Sequence, residues 1–324
     1  MTQKTEFSLS SKTIYSLILI ALAIILTWKL SIIIILFITA LMCAAALAPI
    51  VEWLNKKLKL PLNLGAALVI ICLVLPLIYV LISVIPTFVD QLPKIMDQVS
   101  QILNSYTFLP PEIRNLNIAQ YFQNNTSYIL NSTSLVTDFF FQTITLIFLI
   151  FYILVDGERL HKMFISLVPS HDKKKVENMS LELAKISGQY IRGNLIISLI
   201  CTIIIFAGLL ILNVPYAFPL AIFSGLLDLL PLIGSTIGAA PAVLIAFMLS
   251  PLKGLLVLIL FIVYQMFENN ILSPLIYRKV LNLIPFLSFV AVIIGSMLFG
   301  IAGAFLALPI AAGIPTILNY LKTR

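Results

Sequence analysis

The stretch from Pro215 to Phe247 constrains this chain most. Its centre reads Asp228-Leu-Leu-Pro231-Leu-Ile-Gly234-Ser-Thr-Ile-Gly238-Ala-Ala-Pro241, apolar enough for a bilayer yet carrying an acid, prolines and glycines. An acid at the middle of a bilayer costs at least a few kcal/mol and needs a partner or a function. Pro231 removes a backbone donor, and Gly234 and Gly238 permit bending and close backbone approach. Broken backbone at membrane depth is tolerated only where protein or a water-filled cavity surrounds it. The stretch therefore reads as the wall of a translocation site, against the plainer reading of a kinked packing helix with a snorkelling acid.

Composition fixes the class. Hydrophobic residues make up 61% of the chain and charged residues 10%, against about 25% charged in a soluble domain. The expected fold is an all-α polytopic membrane protein. The net charge of +7 gathers in short loops, which suits anionic lipid headgroups, and no basic stripe with interleaved aromatics points to nucleic acid. Cys43, Cys72 and Cys201 lie in separate apolar runs, give no metal spacing, and read as packing residues. His161 and His171 share a charged segment without ligand spacing, so neither a metal nor a cofactor is expected.

In order, residues 1–85 hold three expected transmembrane runs, Ile14 to Thr27, Ser31 to Ile50 and Asn63 to Ile85. The first two join at Trp28-Lys29-Leu30, Pro49 ends the second, and Pro76 kinks the third. With no small-residue cleavage site, the first run reads as a retained helix. Residues 86–134 are polar, with only Lys94 and Arg114 as cations from Thr87 on, and read as an extracytoplasmic segment with an amphipathic helix over Val89 to Leu103. Pro110-Pro111 breaks it; a second helix is expected from Ala119 to Leu130, and the glycosylation triplets at Asn124 and Asn131 carry little weight. Residues 135–155 form the fourth span and 156–190 a charged cytoplasmic segment, with Lys173-Lys-Lys175 inside it. Residues 191–324 form a transport core with two Gly/Pro-broken stretches, Pro219 to Pro241 and Pro285 to Pro309. Such pairs are the best sequence pointer to a transporter binding site. Positive loops at Lys56, Lys173 and Arg278-Lys279 place both termini in the cytoplasm.

Several motifs together resemble the autoinducer-2 exporter (AI-2E) family of bacterial membrane proteins. Asp228-x-x-Pro231-x-x-Gly234 resembles its Glu-x-Ile-Pro-x-x-Gly pattern. Val155-Asp-Gly-Glu-Arg159, Tyr190-Ile-Arg-Gly-Asn194, Glu268-Asn-Asn-Ile-Leu-Ser-Pro274 and Gly300-Ile-Ala-Gly303-Ala-Phe-Leu-Ala-Leu-Pro309 follow in family order. Here Asp228 stands where the family has Glu, which keeps the charge but moves it. The resemblance implies about eight transmembrane segments, two of them broken or hairpin-like, in the bacterial cytoplasmic membrane. It also implies a homo-oligomer and export of a small polar solute, autoinducer-2 or a related metabolite, or exchange of Na⁺ for H⁺ without an organic substrate. No Walker A pattern is present, so coupling to H⁺ or Na⁺ is expected. An intramembrane protease is excluded: both histidines are in a loop, and Asp228 lacks a second intramembrane Asp. A scaffold displaying residues 87–134 would survive loss of Asp228 unharmed.

The candidate binding residues are Asp228, Pro231, Gly234 and Gly238 in the broken stretch, and Glu268 and Asn269 at the end of the next apolar run. Arg192 and Asn194, at the mouth of the fifth span, join them, with Arg192 as gate or counter-ion. Asp228 and Glu268 are the only carboxylates between Tyr216 and Lys279. A plainer reading pairs Glu268 with Arg278 or Lys279 at the interface.

Overall fold

The computed structural model describes residues 11–105, 133–231, 234–277 and 285–322. Among the described residues the chain is entirely helical apart from turns. The Pro110-Pro111 break, the expected helix over Ala119 to Leu130, the triplets at Asn124 and Asn131, and Arg278-Lys279 lie outside them.

Helix α1 (Ser11–Leu58) is 48 residues long. It runs unbroken through Trp28–Leu30, where the sequence suggested a junction, and it contains Pro49, which was expected to end a run. Proline costs a helix one internal hydrogen bond and a ring clash; here the helix carries on past it to Lys56 and Lys57 in the last turn. Lys59, at φ 53°, makes the actual stop. Helix α2 (Leu62–Ser105) merges the third span with the amphipathic helix expected beyond it. Helix α3 (Thr133–Ser166) likewise continues through Asp156-Gly-Glu-Arg159 into the charged segment. After a turn containing Pro169, α4 (Lys173–Ile211) carries the charged residues directly into the fifth span.

The expected tight turn at Asn213-Val-Pro215 is present, with Asn213 at φ 51° and Tyr216 at φ 59°. Two short helices follow, α5 (Ala217–Asp228) and α6 (Gly234–Leu249), separated at Leu229 to Pro231 and beyond. They pack on each other as a hairpin. At about 1.5 Å per residue they are roughly 18 and 24 Å long, short of the ~30 Å hydrocarbon core. Ser250 caps α7 (Pro251–Phe267): its hydroxyl accepts from the Lys253 N–H at 3.2 Å, and Pro251 takes the first turn, where it costs nothing. A π-helical turn (Glu268–Leu272) joins α7 to the short α8 (Ser273–Tyr277).

Helix α9 (Pro285–Lys322) is folded at Phe299 and Gly300, the latter at φ 59°, ψ −140°. In a straight helix residues 295 and 303 stand roughly 12 Å apart. Here a Cβ on Gly295 would strike the Gly303 carbonyl, and one on Gly303 the Gly295 carbonyl. The second broken stretch is therefore also a hairpin, turned at Phe299-Gly300. Pro309 lies within its second leg and does not interrupt it.

Among the described residues, six helical segments are long and apolar enough to cross a membrane, and α5 and α6 are shorter apolar helices. The span counted over Phe286–Lys322 includes the fold at Gly300, so it is two legs and not one straight crossing. The main core joins α4, α5, α6 and α7 through Ile205, Leu209, Leu220, Ala221, Ala242, Ile245, Val257 and Phe261. A second cluster joins α1, α2 and α3 around Leu47, Val51, Ala66 and Val69. Large apolar residues also cover the outside, among them Phe141, Phe148 and Tyr152 on α3, as a lipid-solvated surface requires.

Candidate functional site

The site forms where the tip of the α5–α6 hairpin meets α4 and α7. Small residues make the meeting close. A Cβ at Gly225 would collide with Thr202 and the Ser198 carbonyl on α4; at Gly234, with the Leu227 carbonyl; at Gly238, with the Ser224 backbone. Hydroxyls fill the polar needs of these contacts. Ser198 donates to the Gly225 carbonyl. The Ser224 hydroxyl lies 2.9 Å from both the Leu220 and Gly238 carbonyls, so its single proton serves one of them at a time.

Asp228 ends α5 and is only 7% exposed. Its Oδ2 accepts from the Tyr264 hydroxyl at 3.2 Å. Cys201 of α4 and Ser235 of α6 flank the same carboxyl, and Ser235 donates to Oε1 of Gln265. Glu268 lies one helical turn beyond Tyr264, half-buried and near enough to Asp228 for the two acids to act on each other electrostatically. Its Oε2 is buried and has no hydrogen-bond partner. Two carboxyls, a phenol, a hydroxyl and an amide thus converge from three helices. Hard oxygen donors of this kind suit protons, alkali cations and hydroxylated solutes. No group of three or more His, Cys, Asp and Glu able to hold a metal occurs among the described residues.

The structure brings together some of the residues singled out from sequence. Asp228, Gly234 and Gly238 are buried at the hairpin, Pro231 is half-buried at its tip, and Glu268 joins Asp228. Asn194 is buried on α4 and reaches the tip, donating to the Leu229 carbonyl at 2.9 Å. Asn269 is exposed. Arg192 is half-buried, and among the described residues it forms an ion pair with neither acid. Sequence reading missed Tyr264, Gln265, Ser235 and Cys201. The signal for two of them was there: Tyr264 and Gln265 are polar positions near the end of an otherwise apolar run, and Tyr264 sits four residues before Glu268, on the same helix face.

Paired helical hairpins, glycines at the hairpin crossings and a buried acid at a hairpin tip define a multi-pass α-helical membrane protein of the transporter class. Residues 14–323 match the AI-2E family transporter pattern, and the chain belongs to that family, which is a family of transporters and not of enzymes. Similar proteins include the candidate transport proteins YueF and YrrI of Bacillus subtilis, 35% identical over 59% of this chain and 34% identical over 58%. Another is the candidate transport protein MJ1177 of Methanocaldococcus jannaschii, 29% identical over 50% of the chain. The matches span about half the length of these relatives, 52%, 54% and 49% respectively.

Proposed function

We propose that this protein is an ion-coupled secondary transporter that exports a small polar solute, of the autoinducer-2 kind or a related metabolite, across the bacterial cytoplasmic membrane. The observation that carries the reading is Asp228: an acid buried at a helix break and hydrogen-bonded by Tyr264, with no cationic side chain paired to it among the described residues. Intramembrane acids in such settings mark ion and substrate pathways. Asp228 is the coupling or substrate-contacting acid in this reading, and Glu268 shares its site. A carboxyl in such a site can take a proton or a cation in turn.

A second reading is cation–proton exchange without an organic solute. The unpartnered Oε2 of Glu268 favours it, since a second carboxyl beside Asp228 supplies the charge a bound alkali cation needs. Purified protein in proteoliposomes with an internal pH dye separates the readings. Proton movement on adding Na⁺, K⁺ or Li⁺ alone supports exchange; movement only with a trapped furanosyl solute supports export. Silence under both conditions overturns both.

A further inference from the structure

Asn194 does more than line the site. Its Nδ2 donates to the Leu229 carbonyl, and its Oδ1 accepts from the Tyr277 hydroxyl at 2.5 Å. The amide's orientation is fixed by chemistry, because a backbone carbonyl only accepts. The NH₂ must therefore face Leu229, and the Tyr277 proton must point to Asn194. Both ends of the side chain are engaged with protein, which leaves Asn194 poorly suited to hold a solute itself.

The partners it joins belong to different elements. Leu229 directly follows Asp228 at the hairpin tip. Tyr277 ends α8, beyond the π-helical turn that carries Glu268. The Tyr277 ring stacks on Tyr190, one turn before Asn194 on α4, with centroids 5.3 Å apart. Gly193 leaves the room for this contact: a Cβ there would strike Ile276 and crowd the Tyr277 ring. Three elements thus meet at one buried amide, 7% exposed.

We propose that Asn194 is a positioning residue that latches the Asp228-bearing tip to α8 through Tyr277, so that displacement of the tip and release of α8 are one event. The two acids of the site sit on opposite sides of this latch, Asp228 on the tip and Glu268 on the turn leading to α8. Opening it changes their separation, and with it the affinity for whatever bridges them. The inference rests on the transport reading only for what that movement accomplishes.

The test is labelling by a maleimide in detergent-solubilised full-length protein, with Cys43, Cys72 and Cys201 replaced by alanine. One cysteine is placed at Leu230 on the tip, and in a separate variant at Ala66, buried in the α1–α2–α3 cluster. Tyr277→Phe keeps the ring on Tyr190 and removes only the hydroxyl. It is expected to speed labelling at Leu230 by roughly tenfold, the factor one buried hydrogen bond is worth, and to leave Ala66 unchanged. Asn194→Ala is expected to do the same or more. The double variant is expected to label no faster than Asn194→Ala alone, because the two residues act through one contact. No acceleration at Leu230, equal acceleration at Ala66, or additive effects in the double variant would each overturn the latch. A wild-type protein that moves neither ion nor solute in proteoliposomes defeats the transport reading and leaves the labelling result standing.

Discussion

Tyr264 of α7 and Asp228 at the end of α5 meet at 3.2 Å, phenol donating to carboxylate, beside the apolar cluster that Tyr264 belongs to. A hydrogen bond to a charged group is worth about 1.5–3 kcal/mol. This one ties the carboxyl at the end of α5 to α7, one helical turn from Glu268.

Removing the carboxyl tests the proposed coupling role directly. Asp228→Asn is expected to insert normally and to abolish coupled flux or to flatten its dependence on pH. Flux in proteoliposomes measured across a pH series decides it; a wild-type rate together with a wild-type pH profile would end the coupling role. Tyr264→Phe should lower flux roughly tenfold while keeping a pH-dependent profile, since the titrating group remains.

Gly234 and Gly238 have no room for a side chain. Gly234→Leu should abolish transport while the protein still reaches the membrane, and even Gly234→Ala should destabilise the hairpin by ~1–3 kcal/mol through overpacking. Thermal unfolding of purified protein, read beside membrane yield, measures this. Normal melting and normal flux in Gly234→Leu would show that the tip yields freely.

Gly300 makes the opposite case. Nothing lies within 4 Å of a Cβ placed there, so space is not the constraint. Its backbone, at φ 59° and ψ −140°, is a conformation that L-residues rarely adopt. Gly300→Ala should cost about 1–3 kcal/mol through strain alone. At Gly295, where the obstacle is the Gly303 carbonyl, Gly295→Val should be far worse than Gly295→Ala. Equal effects of these two would contradict a contact-limited crossing.

The proposed orientation rests on the charge of the loops. With Lys174 cytoplasmic and Asn104 outside, a cysteine at Asn104 should label with an impermeant reagent in intact cells, and one at Lys174 only after lysis. The reverse pattern would invert the proposed topology.

A homo-oligomer is expected, with the outer apolar surfaces of the first helices and α3 available for packing. Native mass measurement in mild detergent and in nanodiscs tests it. A monomer mass across several lipids would contradict it.

The hairpins were legible in the sequence because proline and glycine act locally: Pro231 and Gly234 mark the first break where the structure has it. The second break was harder, since Gly295, Gly300, Gly303 and Pro309 offer equivalent local signals and only Gly300 carries the turn. Gly295 and Gly303 serve the crossing instead, a role visible only once the legs face each other. The continuous α1 was not legible, because Trp28-Lys29 resembles an interface and Pro49 a terminus when no neighbour is known. Asp228 announced itself as an isolated acid. The network around it did not, because Cys201, Ser235 and Tyr264 meet across distances in the chain that only the packing closes.

The apolar part of α1, from Ile14 to Ile50, is roughly 55 Å long at helical rise, while the hydrocarbon core is ~30 Å thick. Keeping all of it in hydrocarbon would need a lean of nearly 60°, beyond the 0–40° that membrane helices usually show. Part of this helix must therefore lie outside the hydrocarbon core or be covered by protein. Its fit then depends on bilayer thickness, and lengthening or shortening the acyl chains of the host lipid becomes a handle on the whole fold, applied far from the buried acid.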